Sequence, residues 1–316
     1  MDFAMFGGHR LRRFTFWRDM LMNGMYLLEQ LINGICQGSI YALIAIGYTL
    51  IVGVVGLVSL CYGDSVMFGA FVSYVAFGAL GTNPVLAFVV SFGGTALLGA
   101  LLHKTCCEPF LDSPRHISVM CTIGAGIFIK NVVQLLTKSE TKPIPRIFGE
   151  GFFTIGEIHI SYVQVAVLSI VLVLIVVLSF FLNKTKMGIS LKAVSQDRKA
   201  AELVGINVKA TTLLGNMIGC GLGGIAGMLY AVYYASFQAN FGGPIGIKAF
   251  SASVLGGMTD IAVAATGGMT IGILENFGVA IFGSGYRDLV AFLFLIIVLI
   301  LKPQGLSFKF KKRGAK

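Results

Sequence analysis

Two apolar stretches each combine glycines with an acidic residue, and they are the first candidates for chemistry. The first, IVGVVGLVSLCYGDSVMFGAF, includes Cys61, Tyr62, Gly63 and Asp64. The second, FSASVLGGMTDIAVAATGGMTIGILE, includes Gly256, Gly257, Thr259 and Asp260. If these stretches lie in a membrane, backbone that leaves the helix needs protein or a watery cavity to satisfy its polar groups. Paired interruptions of this kind predict two broken helices that approach each other and line a translocation path near the midplane.

Other interpretations of these residues stay open. Glycines in apolar helices also serve plain helix packing, which needs no cavity. Asp64 and Asp260 would then cap helices or pair with lysines at the cytoplasmic mouth. A further charge, Lys130 in TIGAGIFIKNVVQLLT, is interpreted as a structural lysine that reaches the membrane surface or is paired, rather than as a substrate ligand.

The residues that enzymes and metal sites use show no matching pattern. Six cysteines occur without a CxxC spacing, and four histidines occur without an HExxH motif. The dipeptide Gly-Lys is absent, so the chain has no P-loop for ATP. We therefore expect no metal site, no bound cofactor and no catalytic residues, and any ATP must be bound by another subunit.

The composition indicates the elements that must position these residues. Hydrophobic residues make up 56% of the chain, charged residues 12%, and the mean hydropathy is +0.86. The stretch 163–182 carries no charge over a length that spans the roughly 30 Å hydrocarbon core. The sequence predicts an all-α, polytopic transmembrane bundle with about eight apolar segments, some of them broken or half-spanning. The segments lie near residues 27–52, 54–80, 85–102, 117–137, 161–182, 211–235, 249–282 and 286–301.

The net charge of +10 is concentrated in a few polar segments. By the positive-inside rule, the loop 183–210 and the tail 303–316 are cytoplasmic, and no nucleic-acid partner is implied. We divide the chain into a basic N-terminal segment, 1–26, a transmembrane domain, 27–302, and the basic tail. The side of the N-terminus stays open, because its arginines favour the inside whereas the count of crossings favours the outside.

Four glycines share a four-residue spacing in GNMIGCGLGGIAG and form one flat ridge of a helix: Gly215, Gly219, Gly223 and Gly227. Small residues at this spacing let helix backbones approach closely. The ridge therefore predicts helix packing rather than chemistry.

The polar segment SQDRKAAELVGINVKATT, 195–212, interrupts the apolar chain and has the pattern of a short amphipathic helix. Such a helix could dock into a partner subunit. The alternative is a helix that lies on lipid headgroups, attracted by its lysines.

The stretch Lys199–Gly205, KAAELVG, resembles the E-A-A-x-x-x-G cytoplasmic loop of ABC importer permeases, and SQDRKAAELVGINV resembles its form in the branched-chain amino-acid permease family. NGICQGSIYALIAIGYTLIVGVVGLVSLCYGD, TIGAGIFIKN and GIKAFSASVLGGMTDIAVAATGGMTIGILE occur in the same order as in that family, so the likeness covers about residues 30–305. The resemblance implies a coupling helix to an ATPase with these residues: Asp197, Arg198, Lys199, Ala200, Ala201, Glu202 and Gly205.

The resemblance also implies the setting of the protein. It implies a permease subunit in a bacterial inner membrane that imports branched-chain or related amino acids. Its partners would be two ATPase subunits, a second permease subunit that is related or identical, and an extracytoplasmic substrate-binding protein.

The sequence departs from the family at two places. Lys199 replaces the glutamate of the motif, and Ser59–Asp64 replaces an Asn-Phe-Ala-His/Gln-Gly-Glu pattern. Urea, short amides, nucleosides and sugars therefore stay open as substrates. A passive channel or facilitator is the alternative from another class, although it would need no docking helix. A membrane-embedded enzyme is a third possibility, for which the chain offers no nucleophile, base and orienting group.

Overall fold

The computed structural model describes residues 24–301, except residues 82, 111–114, 146, 150, 156–157 and 258–259. The basic N-terminal segment before residue 24, the tail after residue 301 and Thr259 lie outside this description.

The described residues form an all-α bundle. The helices are α1 (Gly24–Val55), α2 (Tyr62–Leu80), α3 (Pro84–Leu102), α4 (Arg115–Thr137), α5 (Tyr162–Lys184), α6 (Lys186–Gln196), α7 (Arg198–Leu203), α8 (Val208–Tyr233), α9 (Gly242–Leu255), α10 (Ile261–Phe282) and α11 (Arg287–Leu301). A π-helical turn (His103–Cys107) and a 3-10 turn (Glu108–Phe110) extend α3, and a second 3-10 turn (Ser284–Tyr286) precedes α11.

Two short sheets lie on the face opposite the basic loop 183–210. β1 (Lys142–Pro143) pairs antiparallel with β4 (Ser236–Phe237), and β2 (Phe152–Ile155) forms a hairpin with β3 (Ile158–Ser161). Since the basic loop is assigned to the cytoplasm, these sheets lie at the outer surface.

The polytopic helical prediction is confirmed, but the count of eight segments is not. Within the described part of the chain, six helices are long and apolar enough to cross a membrane: Tyr26–Val55, Pro84–Phe110, His116–Thr137, Tyr162–Lys184, Val208–Tyr233 and Ile261–Phe282. The apolar segment expected at 249–282 is divided between α9 and α10, and the segment expected at 54–80 begins with a non-helical stretch.

The helices form two halves that repeat one packing scheme. α1 packs along α10, α8 packs along α3, and α1 and α8 pack on each other in the centre. Small residues make these contacts close: a Cβ atom at Gly268 would lie 2.6 Å from the Cα atom of Ala42, and one at Gly224 would lie 2.1 Å from Oγ1 of Thr95. Helices in a membrane gain van der Waals contact in this way, since apolar burial drives them together little.

The glycine ridge of α8 packs against α1 at one end and against α2 at the other. A Cβ atom at Gly219 would lie 2.8 Å from the carbonyl oxygen of Gly47, and one at Gly227 would lie 2.0 Å from that of Val66. Gly215 faces Val54, and Gly223 faces the ring of Tyr62. Gly219, Gly223 and Gly227 therefore stand where a backbone or a ring approaches too closely for a larger side chain, whereas Gly215 packs against aliphatic side chains.

Candidate translocation and coupling sites

The first interrupted stretch is non-helical from Gly56 to Cys61, between the end of α1 and the start of α2. The depth of this break follows from Tyr62, whose hydroxyl donates a hydrogen bond of 3.0 Å to the carbonyl of Ile44. Ile44 lies three turns before Val55, the cytoplasmic end of α1, which is about 16 Å along a helix. Because the hydrocarbon core is about 30 Å thick, α2 begins near the middle of the membrane.

Helix α9 begins at the same depth. A Cβ atom at Gly63 would lie 2.2 Å from the carbonyl oxygen of Gly242 and 2.7 Å from the Cα atom of Gly246. The residues before Gly242 are non-helical back to Tyr234 and include β4 at the outer surface. The N-termini of α2 and α9 therefore meet near the midplane, each approached by non-helical chain from an opposite side.

Asp64 lies where these two helix ends meet. It is in the first turn of α2, and its Oδ1 atom would be 3.1 Å from a Cβ atom at Gly242. Its Oδ2 atom would be 2.5 Å from a Cβ atom at Gly126, so α4 closes the other side. Helix N-termini carry partial positive charge, which favours a carboxylate there. Lys130 stands one turn beyond Gly126 on α4, half-buried, and acts electrostatically on Asp64.

The second interrupted stretch lies elsewhere. Gly256 ends α9 and Asp260 begins α10, whereas the first stretch contacts the opposite end of α9. Gly246 and Gly256 are about 15 Å apart along the helix. The expectation that the two stretches approach each other is therefore wrong for this structure, because most of the length of α9 separates them.

Asp260 acts as an N-cap. Its Oδ1 atom accepts hydrogen bonds from the backbone amides of Ala262, at 3.0 Å, and Val263, at 3.3 Å. It also lines a cavity of about 780 Å³ between α1, α5, α6 and the start of α10. The polar residues of this cavity are Thr49, Ser179, Asn183, Lys192, Ser195 and Gln196. The capping role matches the alternative interpretation of Asp260, and the residue also borders this partly polar cavity.

The sequence analysis missed a buried ionic network between α1, α9, α10 and α11. The Nζ atom of Lys248 lies 3.1 Å from Glu275 Oε2 and 2.9 Å from Asp288 Oδ1. The Nε atom of Arg287 lies 3.2 Å from Glu275 Oε1, and Gln37 and Tyr41 donate hydrogen bonds to that same oxygen. Two cations and two carboxylates thus balance each other. The available signal was Lys248 itself, because an ionisable residue in an apolar run marks a functional or structural site.

A second missed residue is Tyr48, beside the break. Its ring packs edge-on against Tyr62, with centroids 5.3 Å apart. Among the described residues, its buried hydroxyl has no hydrogen-bond partner. A buried hydroxyl is costly to leave unsatisfied, so this group is a candidate for contact with a passing polar molecule.

The polar segment 195–212, called the island below, covers the last two residues of α6, the short helix α7 and the first residues of α8. Asp197 caps α7, because its Oδ1 atom accepts hydrogen bonds from the backbone amides of Lys199 and Ala200. Ala201 is buried against the core, and Gly205 ends the turn with φ of +85°, a conformation that favours glycine.

One face of the island is open. Lys199, Ala200 and Glu202 are exposed, and the apolar side chains of Leu203 and Val204 are 89% and 76% exposed. Arg198 points away from this face toward the end of α1. The open face thus combines polar and apolar groups suited to a partner.

These features define a class of protein. Helices of membrane-spanning length, two helices whose N-termini meet near mid-depth and a cytoplasmic helix with exposed apolar residues describe a membrane transport subunit that another protein drives. They include no arrangement of groups for covalent catalysis.

Comparison with known proteins agrees with this class. The family model described as the permease component of the branched-chain amino acid transport system matches residues 30–299. The chain is 34% identical to the high-affinity branched-chain amino acid transport permease BraD of Pseudomonas aeruginosa, over 89% of this chain and 95% of that protein. It is 32% identical to LivH of Escherichia coli, over 89% and 96%, and 26% identical to the probable LivH of Methanocaldococcus jannaschii, over 87% and 90%.

The chain belongs to the family of branched-chain amino acid transport permeases. It is a membrane subunit of an ABC importer and not an enzyme, and ATP hydrolysis lies with a separate subunit.

Proposed function

We propose that this chain conducts branched-chain or closely related amino acids inward across the bacterial inner membrane. Two such permease subunits, identical or related, would form the pathway with two ATPase subunits below and a substrate-binding protein outside. Membership of the family is the observation that supports this substrate class, since the relatives are named for branched-chain amino acids.

The meeting of the N-termini of α2 and α9 supports a pathway past Asp64. Free backbone amides at two helix ends attract a carboxylate, and Asp64 attracts an ammonium group, so one place offers both charges of a zwitterion. Cys61, Tyr62 and Gly63 line the same break. Gly256, Gly257 and Asp260 would form a later, cytoplasmic part of the path, next to the cavity that Asp260 lines.

The open face of α7 supports docking to an ATPase. Exposed apolar residues between charged ones typify the buried core and polar rim of protein interfaces. The helix would transmit movement only if the ATPase holds it differently in its two nucleotide states.

Uptake by the complete complex tests the substrate class. The permease, its ATPase and its binding protein are reconstituted in liposomes, and uptake of radiolabelled leucine is compared with uptake of urea, a nucleoside and a sugar. We expect ATP-dependent uptake of leucine alone. Leucine uptake that persists without ATP would establish a facilitator, and uptake of another compound instead would refute the substrate class.

Cysteine labelling tests the pathway. In a C121S background, which removes a half-exposed native thiol, D64C should react with a small water-soluble thiol reagent at a rate that depends on the nucleotide state. The matched control V66C, fully buried against α8, should stay unreactive. An unreactive D64C in every nucleotide state would contradict the pathway assignment.

A further inference from the structure

The guanidinium of Arg198 completes the cytoplasmic end of α1 from a distant part of the chain. Its Nη2 atom donates a hydrogen bond of 2.9 Å to the carbonyl of Val54 and another to the carbonyl of Val55. Gly56 follows with φ of +67°, and a Cβ atom there would lie 3.3 Å from the same Nη2 atom. The last carbonyls of a helix lack partners within the helix, so this side chain satisfies groups that would otherwise be bare.

Because Arg198 lies on α7, its hydrogen bonds connect α7 directly to the end of α1. Arg198 is the first residue of α7, directly after its N-cap, and it is half-buried while its neighbour Lys199 is exposed. A cation at a helix C-terminus also interacts favourably with the helix dipole. The docking helix is therefore bonded by two charge-assisted hydrogen bonds to α1, and these are stronger than neutral ones.

The chain beyond this contact leads directly to the midplane. Gly56 begins the non-helical stretch that ends at Cys61, and α2 starts at Tyr62 with Asp64 in its first turn. Among the described residues, no regular helix lies between the Arg198 contact and the point where α2 and α9 meet. A displacement of α7 would therefore move the end of α1 and, with it, the non-helical stretch that leads from Gly56 into α2.

We propose that Arg198 is the positioning residue that links the docking helix to the pathway, through the end of α1 and the non-helical stretch 56–61. This inference rests on the proposed function, in which an ATPase moves α7. It assigns Arg198 a contact within the permease, with the end of α1, whereas the family resemblance implies a contact with the ATPase.

The number of substrate molecules taken up per ATP hydrolysed tests the inference in the reconstituted complex. R198A should lower this ratio about tenfold while the ATPase still copurifies, because α7 still docks but no longer moves α1. R198K keeps a cation near the helix end but loses the planar fork, so its ratio should fall between those of R198A and wild type. K209A, an exposed basic residue of the same loop, is the matched control and should keep the wild-type ratio.

A second readout does not depend on the substrate. The nucleotide-dependent change in labelling of D64C, in the C121S background, should disappear when R198A is added and persist when K209A is added. If wild type fails to transport leucine yet this change depends on Arg198, the substrate class is wrong and the link stands. A wild-type ratio and wild-type labelling change in R198A would overturn the link. Loss of ATPase copurification in both R198A and R198K would also overturn it, since Arg198 would then serve docking.

Discussion

The Nζ atom of Lys248 lies 3.1 Å from both carboxylate oxygens of Glu275, and the two side chains are 4% and 0% exposed. Burial removes both charges from water, at a cost that their attraction offsets only while both are present. Asp288, which is 49% exposed, gives Lys248 a second partner, and Arg287 gives Glu275 one. The network therefore joins α9 and α10 to the outer end of α11.

The first prediction concerns this pair. K248M leaves the network with an excess negative charge and should lower the free energy of unfolding by about 3–5 kcal/mol. K248M/E275Q restores neutrality, because Arg287 and Asp288 still balance each other, and should recover part of that loss. Unfolding is measured by SDS titration in detergent micelles.

The exposed Lys209 provides the control, since K209M should leave the free energy of unfolding within about 0.5 kcal/mol of wild type. A double variant that is less stable than K248M would contradict the charge-balance explanation.

The second prediction concerns the contact between the N-terminal ends of α2 and α9. Gly63→Ala places a methyl group 2.2 Å from the carbonyl oxygen of Gly242, so α2 and α9 must separate. Overpacking of this kind costs about 1–3 kcal/mol, and we expect uptake to fall about tenfold or more. ATP-dependent uptake in liposomes is the measurement.

Gly78 is the matched control on the same helix. A Cβ atom at Gly78 meets nothing within 4 Å, so Gly78→Ala should leave uptake unchanged and slightly favour the helix. Equal uptake by the two alanine variants would show that the close approach at Gly63 has no role in transport.

The features that the sequence predicted correctly are those determined by residues close together in the chain. Long uncharged runs predicted the spanning helices, and glycines beside acids predicted both interruptions, between Val55 and Tyr62 and between Leu255 and Ile261. The island was predicted as one short helix, and only its middle part, Arg198–Leu203, forms the separate helix α7. Each of these signals lies within about twenty residues of sequence.

The remaining features depend on contacts between distant segments. The partner of Gly63 is Gly242, and the partner of Arg198 is the end of α1, and no periodicity in the chain indicates either pairing. The sequence therefore paired the wrong interruption with Asp64. The family resemblance also implied Arg198 and Ala201 among the residues of the coupling helix, whereas both side chains face the permease itself, because the pattern of a short helix does not reveal which of its sides is buried.

The third prediction separates capping from transport at Asp260. Serine also caps helices, so D260S should keep both stability and uptake, whereas D260A should lose about 1 kcal/mol of stability. The measurements are SDS titration and leucine uptake. If D260S folds normally but loses uptake, the carboxylate itself serves the pathway and the capping role is not the reason for this residue.

The last prediction concerns docking through Leu203, the most exposed apolar residue of the island. L203D places a charge at the centre of the open face of α7 and touches nothing in the described core, so the permease should insert and unfold as wild type does. An unpaired charge buried in an interface costs several kcal/mol, so copurification of the ATPase should fall at least tenfold. K209D adds an acid to the same loop outside this face and should leave copurification intact. If L203D retains the ATPase as wild type does, the island does not dock through this face, and a position of α7 on the lipid headgroups explains the exposed leucine better.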